Sequence, residues 1–256
     1  MKNIKLLLEY DGTNYHGWQS QAGSDNPTIQ GTLERSLKSL TGEDIGTYSS
    51  GRTDAGVHAL GHVANFRTAT TIPAEAWAPA LNHLLPHDIR VLSSGEVPDE
   101  FHARHSALGK SYTYRILNRR EPTALYRRYA WHVGLPLNVR NMRLAAALLT
   151  GKHDFSAFRS SSCSARNPVR TLRSAAIKRS GAFLEIALEA DAFLQYMVRN
   201  IVGTLVEVGL GRFKPGEVEQ ILRSCDRTKA GRTAPPQGLY LIKVFYPEQY
   251  TTGHSQ

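Results

Sequence analysis

The sequence predicts an α/β protein made of two halves, each with helices packed on an antiparallel or mixed sheet. Two observations lead there. Segments with alternating apolar residues trade places with segments of helical spacing along the whole chain. Charge also divides it: residues 1–100 carry 7 Lys and Arg against 12 Asp and Glu, and residues 101–256 carry 24 against 10. At 256 residues the chain is long enough for well-buried cores and for one or two domains. We expect an N-terminal α/β domain over 1–105 and a basic C-terminal α/β domain over 106–256.

The first strand is expected over Ile4–Tyr10, ending at the turn signal Asp11-Gly12. Pro27-Thr28 opens a helix whose apolar positions Ile29, Leu33, Leu37 and Leu40 keep helical spacing and which stops at Gly42. A short strand near 46–49, a strand over 61–68, a helix from Pro73 that Pro79 kinks, and a strand over 90–97 complete a β-α-β-β-α-β order. The second half repeats that logic loosely. Lys110–Leu117 alternates as a strand, and Asn138 caps a helix running to Leu149, with Gly151 as its stop. Strands are expected over 171–178 and 182–190, the second with Leu184, Ile186 and Leu188 on one face. A long helix over about 192–210, a shorter one near 216–224 and a strand over 239–246 follow. Ser156–Pro168, rich in Ser and Arg, reads as a mobile basic loop.

No apolar run approaches the ~20 residues needed to cross a membrane. The start of the chain runs into a strand pattern without a signal-peptide core. Cys163 and Cys225 lack a CxxC partner, so neither a disulfide framework nor a zinc-thiolate site is indicated. A reducing cytoplasm is the simplest setting. Net charge is +9 with a pI near 9.7. In the second half the excess is mostly arginine, the side chain that forks phosphate and stacks on bases. A nucleic-acid partner is expected, though charge does not separate RNA from DNA.

The chemistry-bearing segment is Gly51-Arg52-Thr53-Asp54-Ala55-Gly56-Val57-His58-Ala59. It is too broken by glycine for a helix and too small-residued for a core strand, so it is a loop that presents Arg52 and Asp54. A lone Arg-x-Asp is ordinarily a surface ion pair. Arg199 lies in Phe193–Gly203, a stretch apolar nearly all round and therefore expected to be buried. A buried guanidinium calls for a carboxylate, and Asp54 is a candidate partner. Tyr112 and Tyr114 share a strand face. Tyr114 reads as core, whereas a tyrosine near a basic site also stacks on an extruded base. Leu239 is either a core leucine or the wall of a base pocket. His58 and His62 stand at i, i+4, and His102 and His105 three apart. Neither pair has an HExxH pattern or an acidic cluster, so no metal site is expected.

Gly51–Ala59 resembles the catalytic signature of the TruA family of tRNA pseudouridine synthases. Further resemblance lies in the Tyr10–Gln21 and Thr28–Glu34 segments, in Phe101-His102-Ala103-Arg104, in Lys110–Tyr114 and in His153–Arg159. Phe193–Arg199 and Pro235–Leu239 complete it, so that it runs from about Lys2 to Tyr246. The resemblance implies two α/β domains sharing a continuous, mostly antiparallel sheet, with the active site in the cleft between them. It makes Asp54 the essential aspartate and Arg52 the group that helps displace the target base. Tyr112 stacks on the flipped uracil, Arg199 pairs with Asp54, and Leu239 walls the pocket. It implies isomerisation of uridine at about positions 38–40 of the tRNA anticodon arm, by a cytoplasmic homodimer that needs no cofactor or metal.

Overall fold

The computed structural model describes residues 1–20 and 26–250; Gln21, at the end of the first family-like motif, lies outside them. The chain is a mixed α/β protein with mostly antiparallel strands and five α-helices among the described residues. It forms two compact units: Met1–Leu108 joined by the chain from Leu241 on, and Gly109–Tyr240. No helix among the described residues is long and apolar enough to cross a membrane.

In the first unit, β1 (Lys2–Tyr10) alternates as its sequence requires, with Ile4, Leu6 and Leu8 fully buried. α1 (Ile29–Thr41) begins where Thr28 accepts from the Gly31 N–H at 3.2 Å, and ends where Gly42 adopts φ 76°. Its buried stripe is Ile29, Leu33 and Leu37. β2 (Tyr48–Ser49) pairs antiparallel with β3 (His58–Thr68). β3 begins three residues earlier than the expected 61–68 and so takes up the last two residues of the glycine-rich signature. α2 (Trp77–Leu84) follows a short 3-10 turn over Ala74–Ala76. Pro79 falls in the first turn of α2, where no intrahelical N–H is lost, so it ends no helix there. α2 packs on β4 (Ile89–Val97), and Trp77 meets Phe66 edge-on at 4.9 Å. β1 lies between β3 and β4, antiparallel to both.

In the second unit, β5 (Gly109–Asn118) carries buried Tyr112 and Tyr114 on one face. Two short strands escaped the sequence pattern: β6 (Trp131–Val133), parallel to β5, and β7 (Gly151–Asp154). Each is too short to show alternation. Between them, α3 (Val139–Ala147) is capped by Asn138, which accepts from the Asn141 N–H, and it stops two residues short of Leu149. β8 (Val169–Ser180) and β9 (Phe183–Ala190) continue an antiparallel order β5-β9-β8-β7. The stretch expected to be a mobile loop opens with a 3-10 turn over Ser156–Phe158 that buries Ala157 and Phe158.

α4 (Met197–Gly209) starts about five residues later than expected. Asp191 accepts from the Thr171 and Ala192 N–H groups, the Gln195 carbonyl accepts from Ser160, and Tyr196 adopts φ 64°. These bonds commit 191–196 to a non-helical path. Every residue of α4 except Arg199 is buried. Gly203 is required there, because a Cβ would sit 1.7 Å from the Arg232 carbonyl oxygen. α5 (Glu217–Ser224) follows, and β10 (Leu239–Phe245) carries the chain from the second unit back to the first. There it runs beside β3, so closely that a Cβ on Gly61 would meet the Ile242 oxygen at 2.2 Å.

Candidate active site

The Asp54 loop is held from beneath by its backbone. Asp54 and Val57 close a turn through Val57 N–H to the Asp54 carbonyl at 3.1 Å, with Gly56 at φ 75° in the position that needs a left-handed residue. The residues after β1 form the support. Trp18 N–H donates to the Thr53 carbonyl at 3.1 Å, and Gly56 N–H donates to the Tyr15 carbonyl at 3.2 Å. The Tyr10 hydroxyl meets buried Thr53 Oγ1 at 2.8 Å. Two glycines let the two backbones touch. A Cβ on Gly12 would lie 2.0 Å from the Val57 oxygen, and one on Gly17, at φ 86°, 2.4 Å from the Thr53 oxygen.

Histidines complete this support. His62, fully buried, stacks on Trp18 with ring centroids 3.9 Å apart and planes 16° apart. His58 Nδ1 lies 3.1 Å from the Gly12 nitrogen and 3.1 Å from an Asp11 carboxylate oxygen. A neutral Nδ1 accepts from Gly12, and a protonated one donates to Asp11, so either state ties β3 to the turn after β1. Tyr15 donates to Asp88 at 2.6 Å; burial first, and then this bond, push its hydroxyl above the usual tyrosine range. Above this braced backbone Arg52 is exposed and Asp54 half-buried. The sequence pattern found the presenting loop and missed its cradle. Its only sequence trace is the pair of glycines in Tyr10–Trp18.

The other three predicted residues stand on the second unit. Tyr112, in mid-β5, is buried and meets Phe193 edge-on at 5.1 Å. Arg199 lies in the first turn of α4 and is half-buried. Its Nε donates to the Ala234 carbonyl at 2.7 Å, the Ala234 N–H returns a bond to the Arg199 carbonyl at 3.0 Å, and the guanidinium lies 4.6 Å from the Tyr196 ring centroid. The side chain therefore has a fixed direction. Tyr114, kept as core by the sequence, is fully buried and donates to the Pro235 carbonyl at 2.6 Å. Burial drives its hydroxyl far above the usual range, so it stays a donor. Leu239 follows the 3-10 turn over Pro236–Gly238 as the first, buried residue of β10. The 234–239 segment thus hangs between Arg199 and Tyr114, an arrangement that sequence spacing does not reveal.

Comparison with known proteins bears on what these groups do. A family model described as tRNA pseudouridine synthase matches residues 7–106 and 145–247. A protein of Thermoanaerobacter sp. (strain X514) named tRNA pseudouridine synthase A is 52% identical over 246 residues, covering 96% of this chain and 100% of that protein. A protein of the same name from Acetivibrio thermocellus is 49% identical, with the same coverage. One from Myxococcus xanthus is 49% identical over 247 residues, covering 96% of this chain and 92% of that protein. With the first matched block taking in the Asp54 loop and the second all of α4 and β10, the chain belongs to the family of tRNA pseudouridine synthases, isomerases of uridine in tRNA.

Proposed function

We propose that the chain isomerises uridine to pseudouridine at about positions 38–40 of the tRNA anticodon arm, with Asp54 as its essential carboxylate. The observation that carries this reading is the cradle under Gly51–Val57. It fixes the loop through backbone bonds to Trp18 and Tyr15 and the Tyr10–Thr53 hydroxyl contact, with Arg52 exposed and Asp54 half-buried above it. The reaction breaks the N1–C1′ bond, turns the uracil, and joins C5 to C1′; a proton leaves C5 and one is gained at N1. A stacked base cannot make that turn, so the nucleotide is first extruded, at a cost of a few kcal/mol. In this reading Arg52 takes the vacated place in the stack and Tyr112 lies on the flipped ring. Arg199 keeps the carboxylate ionised, and Leu239 excludes water from one side. Three routes remain open to Asp54: attack on C1′, attack on C6, or removal of the C2′ proton. Uracil is retained and re-attached, so the stoichiometry calls for no outside nucleophile or redox partner.

The same reading places the enzyme in the cytoplasm as a homodimer, which sedimentation of the purified protein checks. Its central test uses unmodified tRNA and chemical detection of pseudouridine. Wild type is expected to form it, and Asp54→Ala to lose turnover while keeping tRNA affinity. Wild type that binds tRNA and forms no pseudouridine ends the reading in favour of a pure binding protein.

A further inference from the structure

The Phe101–Ser106 turn of the first unit carries three potential cations within four residues, and the reaction as read above uses none of them. Two buried asparagines hold this turn in place. Asn3 Nδ2 donates to the Pro98 and Phe101 carbonyls at 3.0 and 2.9 Å. Asn65 donates to Asn3 Oδ1 and accepts from the Ala103 N–H, both at 2.9 Å. The Tyr246 hydroxyl donates to the Ala103 carbonyl at 2.6 Å. Phe101 and Ala103 point into the core, so the alternate residues His102 and Arg104 face out. Asn65 is also the strand partner of Tyr48, which brings that exposed ring against the turn. Tyr48 and His102 have ring centroids 4.9 Å apart, and His102 and His105 4.3 Å. His102 Nδ1 accepts from the Arg104 and His105 N–H groups, so the neutral ring carries its proton on Nε2.

An exposed aromatic ring against one imidazole, with a second imidazole and an exposed arginine on the same turn, offers both elements of single-strand recognition: a stacking face and phosphate donors. The first unit, to which this turn belongs, carries 9 Lys and Arg against 13 Asp and Glu, so a phosphate bound there finds few other cations. β2 leads directly from Tyr48 into the Asp54 loop, six residues on, a separation of at most about 20 Å. We propose that Tyr48, His102, Arg104 and His105 form a surface that grips an unpaired stretch of the tRNA substrate near the target uridine. This rests on tRNA being the substrate. Burial first, and then the neighbouring His105 and Arg104, hold the His102 imidazole below the usual histidine value. A phosphate there reverses that balance, so binding takes up a proton.

The test compares wild type with His102→Gln/His105→Gln, Tyr48→Ala and Arg104→Gln, each full length, by tRNA turnover and tRNA binding at fixed salt. KM and Kd are expected to rise about five- to tenfold in the first two variants and a few-fold in Arg104→Gln, with kcat kept. Wild-type binding is expected to tighten from pH 8 to pH 6, and the double-histidine variant to lose most of that gain. Arg104 is exposed, so its variant reports even where the others fold poorly. Wild-type KM and an unchanged pH response in folded variants overturn the proposal, as does a fall in kcat at constant KM. Wild type inactive on tRNA removes the functional reading and this one together; active wild type with indistinguishable variants removes only this one.

Discussion

At Gly17 a hydrogen is all that the Asp54 loop tolerates, since any Cβ presses on the Thr53 oxygen and the backbone has positive φ. Gly17→Ala is therefore expected to cost about 1–3 kcal/mol in denaturant unfolding and to lower kcat by displacing the loop. A variant with wild-type stability and turnover would show that the loop moves freely over its support. Tyr114→Phe is expected to destabilise by about 1 kcal/mol, because the half-buried Pro235 carbonyl loses its donor; equilibrium unfolding measures this directly. His102 gives a pH dependence with a definite sign. Its native-state value lies below the ordinary 6.5, so as pH falls through that range the unfolded chain binds the proton first. The contribution is complete above the ordinary value and fades on acidification. Wild type should lose more stability between pH 7.5 and 5.5 than His102→Gln does. The sequence marked Arg199 because a guanidinium is unusual in an apolar stretch, and Arg52 and Asp54 because their glycine-broken loop resembles a family signature. For His58 and His62, spaced i, i+4, the sequence argued against a metal and named no other role; their rings pack against Trp18 and bond the turn after β1.

Among the elements, those with a local stop signal were legible. Thr28 and Gly42 bound α1, and Asn138 caps α3, because caps satisfy orphan backbone groups that each helix has regardless of its surroundings. Thr28→Ala is expected to lower stability by about 1 kcal/mol, read as a shift in unfolding midpoint with an unchanged slope. α4 was misjudged at its start for the opposite reason. Its apolar residues continue upstream of Met197, and what prevents helix there is a set of distant bonds to Thr171 and Ser160. β6 and β7 are strands by virtue of their partners, and no pattern of three or four residues announces that.

Over the whole molecule, charge predicts how tRNA is held. With 24 Lys and Arg against 10 Asp and Glu in residues 101–256, several phosphates are neutralised on binding, and their counterions are released. Affinity for tRNA should therefore drop by orders of magnitude between about 50 and 200 mM salt. A flat response in a titration across that range contradicts a mainly electrostatic grip. Most of the secondary structure, the charge division and the family motifs were readable from the chain alone, since each depends on neighbours a few residues away. Tertiary structure decided which backbone steadies the Asp54 loop. It also decided how 234–239 spans Arg199 and Tyr114, and which imidazoles pack inside or face solvent. Those outcomes depend on contacts between residues dozens of positions apart, where a missing Cβ or a buried amide counts only once its partner has arrived.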